Sequence, residues 1–291
     1  MGGEWASGAA LVSETWPAEH RGKALGFMQS AWAIGYGAAA LVTSLVLPRW
    51  GWRWVFFIGI LPAFFALWVQ RRVEEPPLWR ETRARPSTGA GFLHIFGAGM
   101  LGLTIAVTVM NAFTMFAWWG FNLWLPRYLS LATESGGVGL STTQMSWFVI
   151  LMQVGMWFGY VTFGFISDSV GRKRAYVTYL VTAAVLIFIY ISIRPHVAVL
   201  LLGPFVAFFA TGYFSGFGAV TAEIYPTSIR ATAQGFTYNI GRIASAAAPY
   251  AVGSLAQTRG FHVALLLTSV AFLLAAATWA FIPETKGREL A

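Results

Sequence analysis

Eight apolar segments separated by short polar breaks dominate the sequence. They cover residues 24–47, 54–69, 96–119, 143–167, 175–193, 197–222, 231–255 and 262–281, and a partial segment covers residues 2–12. A helix needs about 20 apolar residues to cross a bilayer. Because lipid offers no partners to backbone N–H and C=O groups, only helices and closed barrels cross it. The predicted fold class is therefore all-α and integral to the membrane, with about nine transmembrane helices.

The composition supports a membrane protein and argues against most soluble classes. Hydrophobic residues make up 57% of the 291 residues and charged residues only 10%, whereas soluble domains carry about 25% charged residues. The net charge of +8 does not indicate a nucleic-acid partner, because the basic residues lie in short loops and form no continuous patch. The sequence has no cysteine, metal-ligand spacing or phosphate-binding loop. We therefore predict that the protein is not an enzyme and binds no cofactor, and we expect the lipid bilayer to be its main environment.

Two polar breaks share five residues, which indicates an internal repeat. The identical pairs lie 209 positions apart and are Glu14 and Glu223, Pro17 and Pro226, Arg21 and Arg230, Gly26 and Gly235, and Phe27 and Phe236. The same offset places Gly51 on Gly260 and Glu75 on Glu284. A parallel repeat in an apolar chain predicts two homologous membrane halves.

The repeat also predicts the domain organisation. Residues 1–70 form the remainder of an N-terminal half, residues 71–91 a charged, proline-containing linker, and residues 92–291 a C-terminal half of six helices. Three helices of that half, over about residues 96–211, have no counterpart, because subtracting the offset places their partners before residue 1. We expect a truncated N-terminus. A misassigned start, a fragment and a genuine short form remain open.

Lysine and arginine accumulate in alternate loops, which predicts the orientation of the chain. One set of loops holds thirteen of the 19 basic residues and the other set five, while Arg242 lies within an apolar segment. The richer set includes the linker and the C-terminus. We therefore expect a multi-pass protein of the inner (plasma) membrane whose linker and C-terminus face the cytoplasm.

Four short motifs carry a resemblance to a known family. Residues 164–174 read G-F-I-S-D-S-V-G-R-K-R, residues 283–287 P-E-T-K-G, residues 73–79 V-E-E-P-P-L-W and residues 2–5 G-G-E-W. The first resembles the G-x-x-x-D-x-x-G-R-[KR] signature of the major facilitator superfamily. The second resembles the segment after the last helix of its sugar-porter-like members. The third resembles P-E-S-P-x-W after helix six, but lacks the first Pro and the Ser. The fourth resembles helix four of the metabolite:proton and sialate or carboxylate:proton symporters.

The resemblance covers the whole chain and implies its function. It implies helices 4–12 of a two-half, twelve-helix secondary transporter that works by alternating access around a midplane site. The implied substrate is a small organic acid or acidic sugar moved with protons, and no oligomer is required. The alternatives are a neutral-sugar porter of the same superfamily and a non-transporting, truncated membrane protein.

Two charges within the apolar segments predict a substrate and proton site. Glu4 and Arg242 lie near the middle of their segments, where a charge costs at least ~2.5–3.5 kcal/mol. Their repeat partners are Tyr213 and Ala33, so the charges do not belong to the shared scaffold. The hypothesis is that Arg242 binds an anionic group through its planar fork of donors, and that Glu4 carries the coupling proton. The alternatives are a structural ion pair and a cavity-facing arginine that only tunes the electrostatic field.

Several neutral side chains in the apolar segments are weaker candidates for the same site. They are Asn111, Gln153, Tyr213 and Asn239. For each, a hydrogen bond between helices is the alternative. We assign Trp118 and Trp119 to the aromatic belt at the membrane surface.

The charged motifs in the loops predict a cytoplasmic gate, on the strength of the resemblance. The candidates are Glu14, Arg21, Asp168, Gly171, Arg172, Lys173, Glu223, Arg230 and Glu284. Gly171 permits a tight turn. The Asp168 and Arg172 group is expected to pair with the loop of residues 223–230 when the cytoplasmic side is closed. Exposed pairs contribute ~0–1 kcal/mol each, enough to bias a gate. The alternative is a solvated turn that only sets the topology.

Overall fold

The structure, a computed structural model, describes residues 8–9, 11–12, 15–16, 20–72, 92–97, 99–193 and 195–287. In this part of the chain every regular element is a helix and no strand is present. The predicted all-α fold class is confirmed.

Ten α-helices have defined bounds in the described residues. They are α1 (Arg21–Trp50), α2 (Trp52–Ile58), α3 (Leu61–Arg72), α4 (Leu101–Ser130), α5 (Thr142–Val170), α6 (Arg172–Ser192), α7 (His196–Gly212), α8 (Phe217–Ile224), α9 (Thr227–Ser245) and α10 (Ala248–Thr278). Short 3-10 helices cover Phe92–Phe96, Thr133–Ser135 and Tyr213–Gly216. Residues 8–9 and 11–12 are also helical.

The described helices reproduce the eight full apolar segments. Six spans are long and apolar enough to cross a membrane, and a shorter apolar helix covers Trp52–Trp68. The last span, Thr232–Thr278, has 47 residues, about twice the length that one crossing needs. It contains two crossings, because Gly260 has a non-helical backbone within α10.

One predicted boundary is wrong by several residues at each end. The segment expected at 96–119 is α4, Leu101–Ser130. The helix begins later than predicted because a turn precedes it, in which the Met100 N–H donates to the Gly97 carbonyl at 3.0 Å. Its end is extended because Pro126 lies inside the helix instead of ending it, which membrane helices tolerate.

The internal repeat is visible in the backbone. Gly51 has φ 79° and ψ 175°, and Gly260, 209 positions later, has φ 82° and ψ 163°. Each glycine separates two consecutive helices, in a conformation that only glycine adopts readily. The two copies differ within the preceding span. α1 is continuous over 30 residues, whereas its counterpart is interrupted at Ala246 and Ala247, between α9 and α10.

Close helix packing positions the elements around the centre of the bundle. α5 packs along α1 on one side and α7 on the other, while α4 packs along α9 and α10. Two glycines of α5 permit the approach of α7. A Cβ at Gly155 would lie 2.0 Å from the carbonyl oxygen of Pro204, and one at Gly159 would lie 2.5 Å from that of Phe208. Small residues at such interfaces are typical of membrane helices.

Candidate functional site

A cavity of about 530 Å³ lies between α1, α4, α5 and α9. The residues that line it in the described part of the chain are Gly8, Met28, Gln29, Trp32, Trp118, Trp119, Tyr160, Phe214, Tyr238 and Arg242. Its volume is within the range of about 300–1,000 Å³ that is usual for small-molecule sites.

The cavity lies well inside the helical bundle. Trp32 follows the first residue of α1, Arg21, by 11 positions, and Arg242 follows the first residue of α9, Thr227, by 15. At ~1.5 Å per residue these positions are about 17 Å and 23 Å along their helices. The hydrocarbon core of a bilayer is about 30 Å thick. The lining residues therefore occupy a depth that a bilayer would shield from bulk water.

Arg242 is the only charged side chain among the described residues that line the cavity. It is half-buried, and its guanidinium carbon lies 6.0 Å from the ring centroid of Tyr238, one turn earlier on α9. An aromatic face attracts a cation at this distance. A charge within an apolar segment is expected to face a polar cavity or a partner, and Arg242 lies in the cavity wall. Its guanidinium is the one cation among the described lining residues that an anionic group in the cavity could meet.

Tryptophan side chains form much of that wall. Trp32 of α1 and Trp119 of α4 meet edge to face, with ring centroids 6.2 Å apart and an interplanar angle of 83°. Trp118 lines the cavity as well and is 3% exposed. The assignment of Trp118 and Trp119 to the membrane-surface belt is therefore wrong. Both lie in the middle of α4, where packing against the neighbouring helices turns them inward.

A charged cluster lies at the junction of α5 and α6. Arg172 donates from Nη2 to Glu223 Oε1 at 2.9 Å and from Nε to Glu223 Oε2 at 3.3 Å. Its Nη1 contacts Asp168 Oδ1 and donates to Ser167 Oγ at 2.7 Å. The Thr285 hydroxyl donates to Glu223 Oε2 at 2.6 Å. One guanidinium thus joins the end of α5 to the end of α8.

Glu284 closes the first turn of α6. Its Oε1 accepts from the backbone N–H of Arg172 at 2.8 Å, Thr285 at 3.0 Å and Lys286 at 3.0 Å. Its Oε2 accepts from the Lys173 N–H at 3.1 Å. Partial burial raises the pKa of this carboxyl, but the four N–H donors stabilise its ionised form and hold the pKa below the ordinary value. The carboxylate satisfies donors that a helix start leaves without a partner.

Three further residues of the predicted gate stabilise the same region. Gly171 has φ 102° between α5 and α6, and a Cβ there would lie 2.6 Å from Glu284 Oε2. Lys173 Nζ donates to the Ile282 carbonyl at 3.2 Å. Arg230 Nε donates to the Ala222 carbonyl at 3.0 Å, and so satisfies an acceptor at the end of α8.

The first turn of α1 lies against the same cluster. A Cβ at Gly22 would lie 3.2 Å from each carboxylate oxygen of Asp168, and a Cβ at Gly164 would lie 2.7 Å from the Gly22 carbonyl oxygen. Lys23 Nζ lies 5.0 Å from the ring centroid of Phe165. Since the start of a helix carries partial positive charge, a carboxylate at this position favours the contact between α1 and α5.

The sequence profile described as Major Facilitator Superfamily matches residues 1–137 and 129–291. The chain belongs to this superfamily. It is a multi-pass membrane transporter and not an enzyme, as its relatives and its fold indicate.

Individual relatives agree with this family. A putative metabolite transport protein of Haemophilus influenzae is 34% identical over 299 residues, covering 100% of this chain and 72% of that protein. A putative niacin/nicotinamide transporter of Bacillus subtilis is 31% identical over 293 residues, covering 100% of this chain and 72% of that protein. Among solved structures, a proton:xylose symporter bound to 6-bromo-6-deoxy-D-glucose aligns with a TM-score of 0.76, at 22% identity, over 97% of this chain and 68% of that chain. This structural likeness supports the fold.

Two weaker candidates, Tyr213 and Asn111, are buried and are not among the described lining residues of the cavity. Tyr213 is fully buried, and its hydroxyl donates to the Thr114 carbonyl at 3.4 Å. Asn111 is buried where α4 and α9 approach each other, since a Cβ at Gly241 would lie 2.8 Å from the Asn111 Cβ. These positions favour the structural alternative for both residues, and a role in binding stays a prediction.

Two other candidates make hydrogen bonds within their own helices. Gln153 Nε2 donates to the Val149 carbonyl at 3.3 Å, and Asn239 Nδ2 donates to the Gly235 carbonyl at 2.8 Å. Neither belongs to the described lining of the cavity. Their proposed part in the site also stays a prediction.

The N-terminal candidates fall outside what the structure describes. Glu4 and Glu14 lie among the undescribed residues, as does the side chain of Arg21 and most of the predicted linker over 71–91. Gly8, four positions after Glu4 in the sequence, does line the cavity.

Sequence reasoning did not single out most of the lining residues, among them Met28, Gln29, Tyr160 and Phe214. The first two lie on α1 at positions i−4 and i−3 from Trp32, so all three share one face of that helix. Helical spacing around a tryptophan was the signal that could have found them. The aromatic side chains of Tyr160 and Phe214 carry no comparable signal in a sequence that is 16% aromatic.

Proposed function

We propose that this transporter moves a small organic acid across the plasma membrane together with protons, by alternating access to the cavity. In this proposal Arg242 binds the carboxylate and Glu4 carries the coupling proton. The halves over residues 1–70 and 92–291, connected by the cytoplasmic linker over 71–91, rock against each other. The C-terminus is cytoplasmic, and a single chain suffices.

The observation that carries the proposal is the position of Arg242. It supplies the only charge among the described lining residues, and its guanidinium offers several donors in one plane. A cation inside an apolar bundle is costly, and an anionic ligand would offset that cost. The putative niacin/nicotinamide transporter of Bacillus subtilis supports an organic acid as the substrate class.

The proton-coupling role of Glu4 rests on the sequence. The expected helix over residues 2–12 contains both Glu4 and Gly8, and positions four apart share a face of a helix. Gly8 lines the cavity. A carboxylate on that face could exchange a proton with the cavity and respond to the charge of the bound substrate.

The charged cluster supports a gate at the cytoplasmic side. Asp168 lies against the first turn of α1, which belongs to the first half, while Arg172 and Glu223 connect elements within the second half. We propose that Asp168 releases α1 when the cytoplasmic side opens. The Arg172–Glu223 pair stays intact and keeps its own half rigid.

A neutral-sugar porter is the second candidate. The structural likeness to a proton:xylose symporter and the P-E-T-K-G segment at residues 283–287 favour it. Arg242 weighs against it, because a neutral sugar has no charge to offset a buried guanidinium.

The test is uptake by proteoliposomes that contain the purified transporter. Labelled nicotinate, gluconate, N-acetylneuraminate and xylose are offered with and without an inward proton gradient. The proposal expects a carboxylate to accumulate, a protonophore to abolish the accumulation, and Arg242→Gln to remove it at unchanged protein level. Glu4→Gln should keep substrate exchange but lose gradient-driven accumulation. Accumulation of xylose alone would favour the second candidate, and no gradient-driven uptake at all would refute transport by this chain.

A further inference from the structure

We infer that the cavity selects planar, π-conjugated monocarboxylates over saturated-ring and polyhydroxylated acids. This inference rests on the proposed function and names the substrate class of the same site. It follows from what surrounds Arg242 and not from the charge of Arg242 alone.

The first argument is the chemistry of the walls. Six of the ten described lining residues are aromatic, and they come from α1, α4, α5, α9 and the 3-10 helix at Tyr213–Gly216. Aromatic rings pair preferentially with other aromatic rings, in edge-to-face or offset stacked arrangements. A flat conjugated ligand can meet several of these walls at once. A puckered saturated ring offers the same walls only dispersion contacts.

The second argument is the scarcity of hydrogen-bonding groups. Apart from Arg242, the polar side chains that line the cavity in the described residues are Gln29 and the polar atoms of the tryptophans and tyrosines. The Tyr160 hydroxyl already has hydrogen-bond partners, the side chains of Gln29 and Thr211. An acid with four or five hydroxyl groups would lose water at most of them without regaining a partner, which weakens binding.

The third argument is the arrangement of the rings relative to the cation. Trp32 and Trp119 approach edge to face from two different helices, while Arg242 sits beside Tyr238 on a third helix. Both features line the same cavity. A ligand with one carboxylate attached to a flat ring can place its charge at Arg242 and its ring against the tryptophans. One negative charge matches the one cation among the described lining residues.

A matched pair of ligands tests the inference directly. Benzoate and cyclohexanecarboxylate have the same charge and number of heavy atoms, and differ in ring planarity and conjugation. Isothermal titration calorimetry on the purified transporter should give a Kd for benzoate about tenfold lower than for cyclohexanecarboxylate, as expected for one or two aromatic contacts. Benzamide, which lacks the charge, should bind more weakly than benzoate, and gluconate should bind more weakly than both acids.

Variants distinguish a benzoate preference that comes from the aromatic side chains from one that comes from general packing. Trp32→Leu and Trp119→Leu should reduce the preference for benzoate to less than about threefold while cyclohexanecarboxylate binding is kept. Trp119→Phe should retain much of the preference for benzoate. That result would show that the loss in Trp119→Leu comes from the missing aromatic ring and not from misfolding. Trp52→Leu is the control, because Trp52 is exposed on α2 and does not line this cavity.

The outcomes separate the inference from the proposed function. Equal Kd values for benzoate and cyclohexanecarboxylate overturn the inference, as does tighter binding of gluconate. Uptake of gluconate or N-acetylneuraminate without benzoate binding would refute the inference but leave the proposed function intact. If no carboxylate binds or is taken up, both fail.

Discussion

Arg172 holds Glu223 by two hydrogen bonds, from Nη2 to Oε1 at 2.9 Å and from Nε to Oε2 at 3.3 Å, across 51 positions of sequence. Both side chains are about nine-tenths buried, with 10% and 12% of their side-chain surfaces exposed. A pair this well covered is screened little by salt and costs several kcal/mol to break from one side. It ties the first turn of α6 to the last turn of α8.

Replacing Arg172 by lysine should destabilise the transporter. Lysine keeps the charge, but its single ammonium cannot form both bonds to Glu223 and also reach Ser167 and Asp168. We expect a loss of about 1–3 kcal/mol, measured as a lower midpoint of thermal unfolding in detergent. Arg174→Lys is the control, since Arg174 lies two positions further along the same helix and is exposed. Equal midpoints for the two variants would contradict a stabilising role of the two hydrogen bonds from the Arg172 guanidinium to Glu223.

Gly171→Ala should destabilise more than Gly99→Ala. Both glycines have positive φ, at 102° and 87°, so both variants carry the same kind of backbone strain. At Gly171 the new Cβ would also meet Glu284 Oε2 at 2.6 Å, whereas at Gly99 no atom lies within 4 Å. We expect a further loss of about 1–3 kcal/mol at Gly171. Thermal unfolding of both variants measures the difference, and a larger effect at Gly99 would refute this account.

Glu284 should make the stability depend on acid pH. Its pKa is lower in the folded protein than the ordinary value of 4.5, so the unfolded chain takes up its proton at a higher pH than the folded chain does. The contribution of Glu284 is therefore complete above about pH 5 and is lost as pH falls through the folded pKa. Unfolding midpoints measured between pH 7 and pH 3 should fall less steeply in Glu284→Gln, which is less stable at neutral pH. An unchanged slope in Glu284→Gln would refute the assignment.

Asp168→Asn should weaken the closed state of the proposed cytoplasmic gate. The neutral amide loses the favourable interaction with the positive first turn of α1, so uptake should fall although the protein still inserts and folds. The absence of native cysteine permits a direct readout through Met28→Cys in the cavity wall. Labelling of that cysteine by an impermeant maleimide from the cytoplasmic side should increase several-fold in Asp168→Asn. Ser169→Ala is the control, and unchanged labelling would argue against the gate.

Sequence reasoning identified the membrane helices, the repeat and the chemistry of the charged loops. The apolar segments are long enough to span a bilayer, and that length is a local property of the chain. The repeat predicted that positions 51 and 260 are equivalent, and both glycines adopt the same left-handed conformation. The high cost of a charge in lipid indicated that Arg242 faces a polar cavity or a partner, and the structure places it in the cavity wall.

Only the tertiary structure decided which helix faces surround that cavity. A membrane helix is apolar on its lipid-facing side and on much of its inner side, so hydrophobic periodicity does not distinguish the two. Trp118 and Trp119 fit a membrane-surface belt as well as a cavity wall, and the packing of α4 placed them in the wall. Likewise Glu284 caps a helix that begins 112 positions earlier. Such contacts depend on how distant segments pack together, and no local pattern in the chain encodes them.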